Sequence, residues 1–87
     1  MKYIDLEHLT SEVKKRVVSP LVFIRLSFNI SKNGEISFLL EFNSNNELRF
    51  IERNYQPYTL MRKKLNWELE IINGFEKSLH DYIRGVK

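Results

Sequence analysis

Apolar and polar side chains alternate along residues 21–53, and this alternation organises the whole chain. Side chains of a strand point to opposite faces in turn, so alternate apolar positions indicate one buried face. Enrichment in β-branched and aromatic residues is also typical of strands. The pattern predicts three strands, over residues 21–30, 35–43 and 47–53. Their apolar even positions are Val22, Ile24, Leu26, Phe28, Ile30, Ile36, Phe38, Leu40, Phe42, Leu48 and Phe50.

Both turns are predicted to contain three residues, because that length keeps the even positions of neighbouring strands on one face. In Lys32-Asn33-Gly34, the glycine takes the left-handed conformation of a type I turn followed by a bulge. In Ser44-Asn45-Asn46, the last asparagine takes that conformation. The predicted pairs are Ile30–Ile36, Phe28–Phe38, Leu26–Leu40, Ile24–Phe42, Phe42–Leu48 and Leu40–Phe50.

The odd positions form the other face, where one predicted row joins Arg25, Glu41 and Arg49. Opposite charges on neighbouring strands stabilise a solvated sheet by roughly 0.2–1 kcal/mol per pair. This face has two readings: an ordinary solvated face, or a surface for a protein partner. On the second reading, the apolar contacts are Phe23, Leu39 and Ile51.

Helical periodicity flanks the strands on both sides. A helix is predicted over residues 4–18, where apolar residues recur at steps of three and four, and Pro20 prevents its continuation. Residues 58–85 keep the same spacing, with a break predicted at Asn73-Gly74 because glycine readily ends a helix. The alternative for residues 65–72 is a fourth strand, since Leu65, Trp67, Leu69 and Ile71 alternate with polar residues.

These elements predict a single α+β domain with the order α-β-β-β-α. A chain of 87 residues is the size of one domain. The expected architecture has two layers, with a three-stranded antiparallel meander and both helical segments on its even face.

Little in the composition points to catalysis, and we expect a protein that is not an enzyme and has no cofactor or metal. The chain has no cysteine, its two histidines (His8 and His80) are far apart, and it has no glycine-rich phosphate loop. The longest apolar run, Leu21–Ile24, is far shorter than a membrane span, so no membrane association is expected. A cytoplasmic location is compatible with the absence of cysteine.

A nucleic-acid-binding function is the alternative hypothesis, because the net charge is +3 and the pI is about 9.3. The candidate phosphate contacts are Arg62, Lys63, Lys64 and Lys32. The order α-β-β-β-α, with lysines near the start of the last helical segment, is similar to the double-stranded-RNA-binding domain. That resemblance implies recognition by shape and phosphate contact. The chain lacks that family's Gly-Pro and histidine between the first two strands, and its alanine-rich last helix.

The first hypothesis is a small interaction module, accessory or regulatory, that docks on or co-assembles with another protein. Tyr55 and Trp67 are further candidate anchors, since aromatic side chains dominate many interfaces. Apolar positions cover more than half of the circumference of the C-terminal helical segment, which is wider than one covered face requires. A symmetric homodimer through residues 65–83 is therefore also expected.

Overall fold

A computed structural model of the protein describes residues 6–56 and 67–85. Helix α1 spans Leu6–Arg16, strands β1, β2 and β3 span Val22–Ile30, Ile36–Ser44 and Glu47–Tyr55, and helix α2 spans Trp67–Gly85. The strands form one antiparallel sheet in the order β1-β2-β3. Helix α1 packs on β1, α2 packs on β3, and the two helices contact each other. The predicted α-β-β-β-α fold is confirmed.

The core lies between the sheet and the two helices, and the central strand supplies most of its sheet side. The even positions of β2 from Ile36 to Phe42 are at most 1% exposed. Complete burial of such a side chain contributes about 1.5–3 kcal/mol, so this row is a main source of stability. The helices cover it with Leu9, Val13, Ile71, Ile72, Phe75 and Leu79.

The two helices run parallel to each other. His8 Nδ1 lies 2.9 Å from Glu68 Oε1, and Arg16 Nε lies 3.6 Å from Glu76 Oε2. The contacts therefore advance eight residues along both helices in the same direction. This orientation follows from the meander, because an odd number of antiparallel strands separates the two helices.

The first hairpin has the predicted turn. Gly34 has a φ of 82°, and its N–H donates to the Ser31 carbonyl over 2.9 Å. The Ser31 N–H donates to the Glu35 carbonyl over 2.8 Å, which begins the β1–β2 ladder. The register between Leu26–Ile30 and Ile36–Leu40 is as predicted.

A bulge at Ile24 changes the start of β1. Phe23 pairs with Phe42 and Arg25 pairs with Glu41, so the predicted Ile24–Phe42 pair is wrong. An extra residue in one strand reverses the faces on either side of it. Phe23 therefore lies on the helix-covered face and packs against the core.

The second hairpin differs from the prediction by one residue. Its turn contains only Asn45 and Asn46, with φ values of 55° and 64°, and Ser44 pairs with Glu47. Two positive φ values are the requirement of a type I′ turn, which suits the twist of two strands. Asparagine tolerates this conformation better than most residues. The pairs predicted for Leu48 and Phe50 are therefore wrong, and β3 presents its odd positions to the helices.

Helix α2 is continuous through Asn73-Gly74, so the predicted break is wrong. The alternative strand over residues 65–72 is wrong for residues 67–72, which are helical. The part of the predicted helical segment before residue 67 lies outside the described residues. Gly74 faces β3 instead of ending the helix. A Cβ atom there would lie 2.5 Å from Arg53 Nε and 2.8 Å from Tyr55 Oη. The glycine thus permits close approach of α2 to the sheet. Arg53 fills the space, donating to Tyr55 Oη over 2.8 Å and to Ser78 Oγ over 3.1 Å.

The orientation of β3 is tested by placing one charge on each of its faces. Ile51→Asp is expected to cost several kcal/mol or to unfold the domain, because it puts an unpaired carboxylate against the core. Phe50→Asp is expected to change stability by less than about 1 kcal/mol. Thermal and urea unfolding followed by circular dichroism compare the two. If Phe50→Asp lowered the free energy of unfolding more than Ile51→Asp does, Phe50 would be the buried residue, and the three-residue turn would be correct.

The close approach at Gly74 gives a second prediction. Gly74→Ala is expected to destabilise the protein by about 1–2 kcal/mol, since the overlap with Arg53 outweighs the gain of roughly 0.5–1 kcal/mol in helix propensity. Gly85→Ala is the matched control, because a Cβ there meets nothing within 4 Å. Urea unfolding measures both. If Gly74→Ala stabilises the protein as much as Gly85→Ala does, close packing is not the role of Gly74.

Candidate interaction surface

The face of the sheet opposite the helices, here called the open face, is the candidate functional surface. The observed register defines four cross-strand rows on it. From the Asn45-Asn46 end they are Val22–Asn43–Leu48, Arg25–Glu41–Phe50, Ser27–Leu39–Glu52 and Asn29–Ser37–Asn54. The rows divide the face into an apolar end and a polar end.

Three large apolar side chains stand exposed at the apolar end. Val22, Leu48 and Phe50 are between 47% and 59% exposed, and Leu39 lies half-buried beside them on the central strand. Leu48 and Phe50 point to the same side because they are two residues apart on β3. Together these side chains form a surface suited to apolar contact.

A salt bridge occupies the centre of this apolar end. Arg25 Nε donates to Glu41 Oε2 over 2.6 Å. The Glu41 side chain is only 10% exposed, whereas that of Arg25 is 67% exposed. Removing a carboxylate from water is costly unless it is paired, so Arg25 supplies the compensation that Glu41 requires. The outer side of the guanidinium remains exposed to solvent.

At the polar end, a neutral side-chain hydrogen bond joins β2 and β3. Ser37 Oγ donates to Asn54 Oδ1 over 2.7 Å, across a directly opposed β2–β3 pair. Ser27, Asn29 and Glu52 complete this end. With these polar side chains, this end resembles an ordinary solvated sheet face.

Only one of the three apolar contacts predicted for this face lies on it. Leu39 is on the open face, whereas Phe23 and Ile51 lie on the helix-covered face and pack against the core. The bulge moves Phe23, and the two-residue turn moves Ile51. Tyr55 is also buried under α2, where its hydroxyl accepts a hydrogen bond from Arg53. The structure instead brings Val22, Leu48 and Phe50 to the open face, although these three residues are predicted for the core.

The other predicted site residues are the candidate phosphate contacts and Trp67. Arg62, Lys63 and Lys64 lie outside the described residues. Trp67 is the first residue of α2, and Lys32 is exposed in the β1–β2 turn.

Most basic side chains within the described residues have acidic or polar partners. Lys15 and Arg16 both donate hydrogen bonds to the Glu12 carboxylate. These bonds lower the pKa of that carboxyl, and the bond from Lys15 has the larger effect. The pKa of Arg49 is raised mainly by a hydrogen bond to the Tyr82 hydroxyl and, to a smaller extent, by the negative charge of Glu47. Lys14 lies 5.9 Å from the centroid of the Phe23 ring. The basic side chains that have such partners within the fold are Lys15, Arg16, Arg25, Arg49 and Arg53.

The ranges 6–56 and 67–85 contain no group of three His, Asp or Glu residues placed to hold a metal ion. Among the same residues, neither helix has the length and apolar content needed to cross a membrane.

Comparison of the chain with protein-family models, with curated proteins and with solved structures finds no match.

The buried carboxylate of Glu41 makes the Arg25–Glu41 pair testable. Arg25→Ala is expected to destabilise the protein by about 1–3 kcal/mol, because it leaves a desolvated carboxylate without its partner. Arg49→Gln is the comparison: it removes the hydrogen bond to the Tyr82 hydroxyl as well as the pair with Glu47. Because Glu47 is 64% exposed and stays hydrated without the arginine, a smaller cost than for Arg25→Ala is expected. Urea unfolding at neutral pH compares the two variants. Equal costs would show that Glu41 is solvated without Arg25.

Proposed function

We propose that the protein is a small non-enzymatic module that docks on another protein through the apolar end of its open face. The observation that supports this proposal is the exposure of Val22, Leu48 and Phe50 at one end of an otherwise polar face. Single exposed apolar residues are normal on protein surfaces, whereas clusters rimmed by polar groups are typical of interaction sites. An accessory or regulatory role and a cytoplasmic location belong to the same hypothesis.

The side chains at the apolar end indicate which groups the partner must present. Phe50 is the aromatic anchor, and Leu48 and Val22 extend the apolar contact on either side of Asn43. Arg25 is the polar anchor, because its exposed guanidinium can donate to a carboxylate or carbonyl of the partner while Nε remains bonded to Glu41. An apolar centre with an arginine beside it is a common arrangement in protein interfaces.

The nucleic-acid hypothesis has less support within the described residues. They contain nine lysines and arginines against ten aspartates and glutamates, so the basic excess of the chain lies in the segments around them. Phosphate recognition would then depend on Arg62, Lys63 and Lys64. A titration with duplex RNA at two salt concentrations separates the hypotheses, since phosphate-driven binding weakens steeply with salt.

The homodimer through residues 65–83 stays a prediction. Within α2, Ile71, Ile72, Phe75 and Leu79 are buried by β3, α1 and the rest of the same chain. Among the side chains that the structure describes in α2, Leu69 and Ile83 are large, apolar and exposed. From residue 68 onward, the larger part of the apolar surface that motivated this dimer is therefore covered within one chain.

The docking proposal is tested by placing the same charge at each end of the open face. A photoreactive phenylalanine analogue in place of Leu48 captures the partner in the source cell. Phe50→Asp is expected to weaken binding of the purified partner at least about 30-fold, the effect of losing an anchor worth ~2 kcal/mol. Isothermal titration calorimetry measures the affinity, and circular dichroism verifies that the variant is folded.

Asn54→Asp is the matched control, because it adds the same charge to the same strand and face at the polar end. It is expected to change the affinity by less than about fivefold. A partner that binds Phe50→Asp as well as it binds the unmodified protein would refute docking through the apolar end.

A further inference from the structure

The outer edge of β1 is the second unusual surface of the molecule. Within the described residues the sheet ends at β1, with no strand on its outer side. Strand β1 contains one charged residue, Arg25, whereas the opposite edge strand contains Glu47, Arg49, Glu52 and Arg53. Charged residues and bulges protect an edge strand from pairing with other strands. Strand β3 therefore has this protection, whereas the part of β1 from Leu26 to Ile30, beyond the bulge, has neither feature.

The hydrogen-bonding pattern identifies the backbone groups that face outward. Antiparallel strands alternate between hydrogen-bonded and non-hydrogen-bonded pairs. The Ser31–Glu35 bond starts this alternation, so Asn29 and Ser27 direct their N–H and C=O groups toward β2. Leu26, Phe28 and Ile30 direct theirs outward. The edge thus offers three donors and three acceptors at alternate positions, the pattern that a further antiparallel strand requires.

The side chains of this edge are also uncovered. Ile24, Phe28 and Ile30 are between 38% and 54% exposed, although they are β-branched or aromatic. One side of the Phe28 ring packs within the chain, since its centroid lies 5.8 Å from that of the Phe38 ring. Addition of a strand at this edge would extend the apolar row of the helix-covered face.

We propose that β1 pairs antiparallel with β1 of a second copy of the chain, across a two-fold axis that passes beside Phe28. Each Phe28 then faces the Phe28 of the second copy, and Leu26 faces Ile30. These are hydrogen-bonded pairs, because all three residues direct their backbone groups outward. The contact closes a symmetric dimer whose two sheets form one six-stranded sheet.

The polar side chains of β1 are complementary in this register. Ser27 lies opposite Asn29 of the second copy, and Asn29 lies opposite Ser27. The same combination already exists between β2 and β3, where Ser37 Oγ donates to Asn54 Oδ1 over 2.7 Å. Both are non-hydrogen-bonded pairs, in which side chains approach most closely. The proposed contact therefore repeats a pairing that this sheet uses internally.

Charge and shape agree with the same register. Arg25 lies opposite Ser31 of the second copy, and the two Arg25 residues are about 20 Å apart at 3.4 Å per residue. No like charges are brought together. The bulge at Ile24 ends the regular part of β1, and pairing around Phe28 uses only the residues that follow it. Registers centred nearer the start of β1 would run through the bulge.

Charge reversal tests the proposal. The unmodified protein is expected to sediment as a dimer at tens of micromolar. Ser27→Lys/Asn29→Lys is expected to sediment as a monomer, because lysines would face lysines, and Ser27→Glu/Asn29→Glu is expected to behave likewise. An equimolar mixture of the two variants is expected to form a heterodimer, since each lysine then faces a glutamate.

Cysteine cross-linking tests the register and does not depend on the folding of the charged variants. The chain has no cysteine of its own. Phe28→Cys is expected to form an intermolecular disulfide, because directly opposite Cα atoms are about 5.5 Å apart. Ile30→Cys is the control, since its copies would lie about 14 Å apart at 3.4 Å per residue.

A monomeric mass for the unmodified protein would overturn the proposal. So would charged double variants that remain dimers, or faster cross-linking of Ile30→Cys than of Phe28→Cys. Phe50 lies in β3, the other edge strand, so Phe50→Asp is expected to leave the dimer unchanged. The dimer and the docking function can therefore fail independently.

Discussion

The row of buried side chains on β2 is the constraint on which the rest of the structure depends. Ile36, Phe38, Leu40 and Phe42 are almost fully buried, and β2 is hydrogen-bonded on both sides. Such a row requires a neighbouring strand on each edge and a second layer above it. The hairpins supply the strands, and the parallel helices supply the layer. Phe38 and Phe42 also anchor aromatic contacts to Tyr55 and Tyr82.

The fold class and the register between Leu26–Ile30 and Ile36–Leu40 could be predicted because several signals agree there. Period-two apolarity, the left-handed Gly34 and the length of the turn all lead to one pairing. The segment after Asn46 lacks that agreement. Its even positions contain Leu48 and Phe50, its odd positions contain Ile51 and Tyr55, and either set can fill a core. The choice is made by the turn, whose two asparagines both accept a positive φ.

The candidate surface could not be predicted for the same reason. One residue in the length of a turn decides whether Phe50 or Ile51 is buried, and a bulge does the same for Phe23 and Ile24. Gly74 is a related case, since glycine ends many helices and also permits close packing. The position of Arg53 on β3, directly opposite Gly74 of α2, shows that this glycine serves close packing and not helix termination.

The parallel arrangement of α1 and α2 gives the helical layer an electrical polarity. Helix dipoles place partial positive charge at the N-terminal ends, and here both such ends lie at the same end of the sheet. Adjacent parallel dipoles repel, so charges of opposite sign are needed at each end. The first turns carry Glu7, Glu68 and Glu70, and the last turns carry Lys14, Lys15, Arg16 and Arg84. These side chains screen a field that would otherwise attract anions to one end of the layer and cations to the other.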